Sequence, residues 1–196
     1  MFFPEASFAA VADCYKTPAS GLAQKLDPLC GPEPVHEGIS PPDIRELKNR
    51  FETSDPEELR LDHTRLFVGP FELVAPPFGS VYLDGKRTLM GESTRSAMEL
   101  YRRAGLDMAE DFNNPPDHVI AELEFLAYLH SARRAADDED TRHLLRDLHH
   151  QFVRQHIGAW IEPFTGKMEQ GAETGFYQLL AAVTRSLVLA EARAAE

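Results

Sequence analysis

Asp117, His118, Glu122 and Glu124 fall within eight residues of one another in NNPPDHVIAELEFLAYL, positions 113–129. Carboxylates and an imidazole this close together can accept hydrogen bonds from a cationic ligand. Each charge-assisted bond to an arginine contributes about 1.5–3 kcal/mol when shielded from water. A plainer role is also open to them. Asn114 is a good N-cap, Pro115 suits the first helical position, and Asp117 places negative charge where a helix has free amides. His118 and Glu122, one turn apart, would then be a solvated pair worth a few tenths of a kcal/mol. Glu122 and Glu124 project about 200° apart on a helix, so only one of them can face any single site.

A second cluster of chemistry-bearing residues is His143, Asp147 and His150, at i, i+4 and i+7 on one helix face. Three ligands strung along one straight helix span about 10 Å, too far to share an ion without a partner element. His149 and His156 form another pair at i, i+7. The chain contains no HExxH, GxSxG, Walker or GxGxxG pattern. The expectation is therefore no catalytic residue, no metal and no cofactor, with a histidine-rich metal-dependent hydrolase as the weaker alternative.

GPFELVAPPFGSVYLDG, positions 69–85, interrupts helical spacing with three prolines and three glycines yet is rich in apolar and aromatic side chains. Proline removes a backbone donor and glycine weakens a helix, so no helix is expected through it. It is also too apolar for an ordinary solvated loop. The segment 69–91 is expected to be a long ordered loop, either plugging a helix bundle or forming one wall of a groove.

The remaining sequence supplies the elements that must hold these residues. Proline and glycine divide the chain into helical stretches at about 5–15 and 18–29, an irregular connection over 28–42, and two helices in DIRELKNRF and PEELRLDHTRLF. ESTRSAMELYRRAGL is a further helix with Gly105 as its stop. Long helices follow at about 115–134 and 138–156, the second opening on the acidic run 137–140. A mostly buried helix ends the chain. The fold class is all-α, a single-domain bundle of about eight helices over residues 1–196.

Composition narrows the functions. Hydrophobic residues make up 43% and charged residues 27%, as in a globular protein. With 32 acidic against 20 basic residues the net charge is −12, which repels nucleic acid and anionic membranes and attracts cationic partners. No window is apolar enough to cross a membrane, and Pro4 and Glu5 break the N-terminal apolar run, so no secretory signal is expected. Cys14 and Cys30 are the only cysteines, consistent with reduced thiols in the cytoplasm.

Five motifs in order, LRLDHTRLFVGP, APPFGSVYLDG, PPDHVIAELEFLAYL, HIGAWIEPF and ETGFYQLLAAVT, resemble the signatures of the TorD/DmsD/NarJ chaperones for molybdoenzymes, and most closely the TorD/DmsD branch. The resemblance covers about 57–190; the first 55 residues match no motif. It implies an all-helical cytoplasmic chaperone that binds the twin-arginine signal peptide of a molybdopterin oxidoreductase precursor while its cofactor is inserted. The implied protein is a monomer or homodimer that takes no nucleic acid and has no stable membrane insertion. The family's peptide-binding Asp and His fall on Asp117 and His118, beside Pro116, and its loop on Pro76, Pro77, Phe78, Ser80 and Tyr82. Two departures stand out: His63 replaces a frequent tyrosine, and Phe78 replaces the usual tyrosine after the double proline. Added to this, Phe67, Phe71, Leu73, Val74 and Val81 are expected to line an apolar groove, with Glu122 or Glu124 helping Asp117 to hold the arginines. The alternative partner is an amphipathic helix held by a helical adaptor.

Overall fold

A computed structural model describes residues 4–31, 41–70, 72–85, 90–107 and 114–194. Ten α-helices occur among them: α1 (Pro4–Cys14), α2 (Leu22–Leu26), α3 (Pro41–Thr53), α4 (Pro56–His63), α5 (Gly79–Leu83), α6 (Glu92–Arg103), α7 (Val119–Ala135), α8 (Glu139–Gln155), α9 (Ile157–Gly171) and α10 (Gly175–Ala194). The described residues contain no strand, only an isolated antiparallel bridge between Phe78 and His118. The all-α expectation is met, with two more helices than the pattern suggested. Most of the expected irregular connection, residues 32–40, lies outside the described residues, and so do Phe71 and residues 86–89 of the expected loop.

Several helices begin where their own residues dictate. Asp55 accepts hydrogen bonds from the amides of Glu57 and Glu58, with Pro56 at the first position of α4. Asp138 accepts from the Thr141 amide at 2.8 Å and starts α8. Gly105 follows α6 at φ 79°, where a side chain would be strained.

The two helices that spacing alone does not give, α5 and α9, have a tertiary cause. α9 carries Pro163 in its interior, where a missing amide and a ring clash cost about 3 kcal/mol. Ile157, Trp160, Ile161, Phe164 and Met168 of this helix are all fully buried. At roughly 1.5–3 kcal/mol for each buried side chain, their burial outweighs the proline several-fold. α5 is a short turn of helix inside the apolar loop and is held by residues outside it, as described below.

One buried cluster runs from Phe8 on α1 to Val188 on α10, and its largest fully buried side chains include Trp160, Tyr177, Phe8, Phe152, Phe164 and Phe176. α1 packs along α7, α9 and α10 pack together across a three-residue connection, and α8 lies against both α7 and α9. A π-type turn, Thr64–Val68, extends α4 and ends at Gly69 with φ 95°. The chain then doubles back, and the Ala75 amide donates to Leu66 O at 3.1 Å.

The junction between α4 and α10 rests on Asp62, which is buried. Its Oδ2 accepts from the amides of Glu173 (3.0 Å) and Thr174 (2.8 Å) and from Thr174 Oγ1 (2.8 Å), while its Oδ1 accepts from Arg65 at 2.7 Å. A carboxylate on one helix thus caps the start of another more than 110 residues away. Asp62→Ala strands these donors, and we expect it to lower unfolding free energy by about 2–4 kcal/mol. Urea denaturation followed by circular dichroism measures this; a loss under about 0.5 kcal/mol would show that the cap is dispensable.

Candidate functional site

α7 begins at Val119, four residues later than the capping pattern of Asn114 and Pro115 indicated. His118 is the residue that caps it: its Nδ1 accepts the Ile120 amide at 3.1 Å. The ring is buried, and burial lowers its pKa to about 4 despite the opposing influence of Asp117. His118 is therefore neutral at physiological pH, with its proton on Nε2 so that Nδ1 can accept. Ahead of it, Pro116 is buried and its carbonyl accepts the Tyr101 hydroxyl at 2.8 Å.

With its backbone extended at 118, this head of α7 pairs with the loop. Gly79 N donates to Asp117 O and Val119 N donates to Pro77 O, both at 2.9 Å. The Phe78 and His118 rings meet edge to face at 5.3 Å. Asp117 completes the clamp: its Oδ2 accepts the Ser80 amide at 2.7 Å, which makes it the cap of α5 rather than of its own helix. Asp117 is only 1% exposed, so in this arrangement the carboxylate faces the loop backbone rather than solvent. Ser80 and Pro77 are likewise buried.

Behind the clamp, Glu122 is fully buried and its Oε2 accepts Trp160 Nε1–H at 2.9 Å. Oε1 has no partner among the described residues. Burial pushes the Glu122 carboxyl well above the ordinary 4.5; the Trp160 bond opposes the rise, and the neighbouring Asp117 charge adds to it. Gly79 lies directly on this pair. A β-carbon there would stand 3.0 Å from Trp160 Nε1 and 3.4 Å from Glu122 Oε1, so any larger residue would press on this pair and force a small shift. Tyr82 stacks on Trp160 with centroids 5.5 Å apart and donates its hydroxyl to Pro76 O at 2.9 Å.

The outer face of the pinned loop is a trough of about 270 Å³ lined by Glu72, Leu73, Val74, Pro76, Phe78, Val81 and Lys167. Its far side is the end of α9: a β-carbon at Gly171 would overlap Val74, and Lys167 Nζ lies 5.0 Å from the Tyr82 ring centre.

The expected residues therefore separate into distinct places. Leu73, Val74, Pro76, Phe78 and Val81 share the trough. Pro77, Ser80, Tyr82, Pro116, Asp117, His118 and Glu122 form the support beneath it. Phe67 belongs to neither: its ring packs in the core against Tyr15, His63, Phe164 and Tyr177. Phe71 lies outside the described residues. Glu124 is exposed and pairs with Lys16 on the α1 side at 2.9 Å, away from the trough, because its helical position is opposite that of Glu122. His143, Asp147 and His150 do not converge either; His143 is exposed and lies 3.2 Å from Glu139. Glu72, Trp160 and Lys167 were not anticipated as site residues. The HIGAWIEPF motif marked Trp160, but nothing in its spacing pointed to a carboxylate 38 positions earlier.

Residues 39–166 match the family described as the nitrate reductase delta subunit, and the chain belongs to that family. It is 33% identical to a Tat proofreading chaperone DmsD of Salmonella typhi over 141 residues, covering 72% of this chain and 63% of that protein. A chaperone protein TorD of Vibrio cholerae serotype O1 is 30% identical over 147 residues, covering 74% and 64%. The chain thus spans less than two thirds of the length of these curated relatives. A solved structure described as a redox enzyme maturation protein from Archaeoglobus fulgidus shares the fold, with a TM-score of 0.61 at 22% identity over 92% of this chain and 91% of that one. These relatives are named for chaperone or maturation roles, not for a reaction.

The buried Glu122 has a testable consequence. Between its ordinary value of 4.5 and its raised folded value, the native state holds a proton that the unfolded state has released. Stability from this group is therefore present at low pH and lost as pH rises through that window, by roughly 1 kcal/mol per pH unit. Glu122→Gln keeps an acceptor for Trp160 without the charge. Denaturation midpoints of the variant should fall less between pH 5 and 8 than those of the native chain; parallel pH profiles would refute a buried, proton-holding Glu122.

Proposed function

We propose that this protein is a cytoplasmic chaperone that binds the twin-arginine signal peptide of a molybdenum or tungsten oxidoreductase precursor and attends its maturation before export. Family membership and relatives named as Tat proofreading chaperones support the class of activity. Among the described residues, no helix is long and apolar enough to cross a membrane. The observation that carries the site is the trough: five apolar side chains held outward on a loop whose backbone is fixed to α7.

A twin-arginine leader has a basic start and a moderately apolar run. The apolar run is assigned to the trough wall formed by Leu73, Val74, Pro76, Phe78 and Val81. Covering about 300 Å² of apolar surface contributes roughly 7 kcal/mol before the cost of association. Hydrogen bonds to the arginines would bring the complex near micromolar affinity, about −8 kcal/mol. The net charge of −12 favours approach of the basic segment. Asp117, His118, Ser80 and Tyr82 are assigned to positioning the wall, and Glu72, which also lines the trough, is assigned to meeting a guanidinium.

Calorimetric titration with a synthetic twin-arginine leader tests this. Phe78→Ser should weaken binding at least tenfold while leaving thermal unfolding cooperative, since Phe78 is only half-buried. A peptide with both arginines changed to lysine should bind more weakly, having lost the forked donor. Unchanged affinity in Phe78→Ser would remove the peptide from the trough. Equal affinity for the lysine peptide would favour an adaptor that recognises amphipathic segments in general.

A further inference from the structure

Near the C-terminal end of α7, away from the loop clamp at its head, three helices bring one side chain each to a common point. His130 of α7 has Nε2 3.2 Å from Glu191 Oε2 of α10, and His149 of α8 has Nε2 2.7 Å from the same oxygen. One ligand atom from each residue lies within 4.8 Å of the others. His130, His149 and Glu191 side chains are 10%, 7% and 7% exposed. Both Nε2 atoms therefore face one carboxylate oxygen, while His149 Nδ1 has no hydrogen-bond partner among the described residues. Buried polar atoms left in that state are costly and rare.

We infer that His130, His149 and Glu191 form a binding site for a divalent transition-metal ion of the zinc class. Two imidazole nitrogens and one carboxylate oxygen are the donors such an ion prefers, and three protein ligands leave a fourth position open. The two Nε2 atoms that now share Glu191 Oε2 are the ones that would take up the ion. Their present separations suit a tetrahedral set after a small opening, with metal bonds of about 2.0–2.2 Å. The ring of Phe8 stacks on His130 at 5.7 Å and 11°, which fixes the plane of that imidazole.

His130 also lines a cavity of about 430 Å³, whose walls include Arg133, Arg134, Arg142 and Arg146. Arg134 is paired with Glu5 and Arg142 with Glu139, so the cavity is less positive than four arginines suggest. The same walls favour an anion or hydroxide as the fourth ligand. An ion here would tie α7, α8 and α10 together, and metal binding would raise thermal stability by mass action.

The test is titration of chelator-treated full-length chain with zinc chloride, followed by calorimetry. One zinc per chain is expected, with affinity falling at least a hundredfold in His149→Ala and in Glu191→Gln. His143→Ala, on the exposed face of α8, should bind as the native chain does. Cobalt chloride added to the unaltered chain should give the intense visible bands of a tetrahedral ion, a readout that needs no variant to fold. The inference is overturned by absence of a one-to-one zinc event, by weak octahedral cobalt bands, or by loss of zinc in His143→Ala with retention in His149→Ala.

Discussion

The bond from the Ser80 amide to the buried Asp117 carboxylate is the constraint on which the candidate site depends. A loop with three prolines cannot satisfy its own backbone, and its exposed face carries apolar side chains that would otherwise collapse inward. Asp117 supplies the missing acceptor at the start of α5, and the two backbone bonds of the Phe78–His118 bridge fix the register. With the backbone held, Phe78 and Val81 stay outward while Gly79 and Ser80 press on the core. Remove the clamp and the trough has no wall.

The same device appears twice. Asp62 caps α10 from α4, and Asp117 caps α5 from the head of α7. In both cases a carboxylate is removed from water, which is expensive unless backbone amides replace the lost hydration. Amides at the start of a helix do so well, because they lack partners within the helix. Trans-capping therefore joins elements that are distant in sequence without leaving a helix end unsatisfied. Glu122 differs: its single bond from Trp160 does not offset full burial, so the carboxyl responds by retaining its proton.

Chemistry legible at one position took another form in space. Asp117, His118 and Glu122 were marked as possible acceptors for a cation, and all three are instead occupied with the loop, their own helix start and Trp160. They remain parts of one assembly, as positioning residues beneath the trough. Likewise, histidines spaced along α8 suggested a shared ion only if another element contributed. His130 of α7 and Glu191 of α10 meet His149 of α8, whereas His143 and His150 lie outside that cluster.

Local residue chemistry determined much of this protein by itself. Helical spacing gave the all-α class, proline and glycine marked the loop, and Asp55 and Asp138 started their helices because a cap and its amides are neighbours in sequence. The opposition of Glu122 and Glu124 was also fixed by helix geometry alone. Only tertiary structure decided that α9 is a helix through Pro163, because the decisive term is burial of Trp160, Phe164 and Met168 against other elements. It alone decided that Phe67 is core while Phe78 is groove, since composition cannot say which side of a loop meets the bundle. Partners separated by tens of residues, such as Asp117 with Ser80, Glu122 with Trp160, and His149 with Glu191, exist only once packing has brought their helices together.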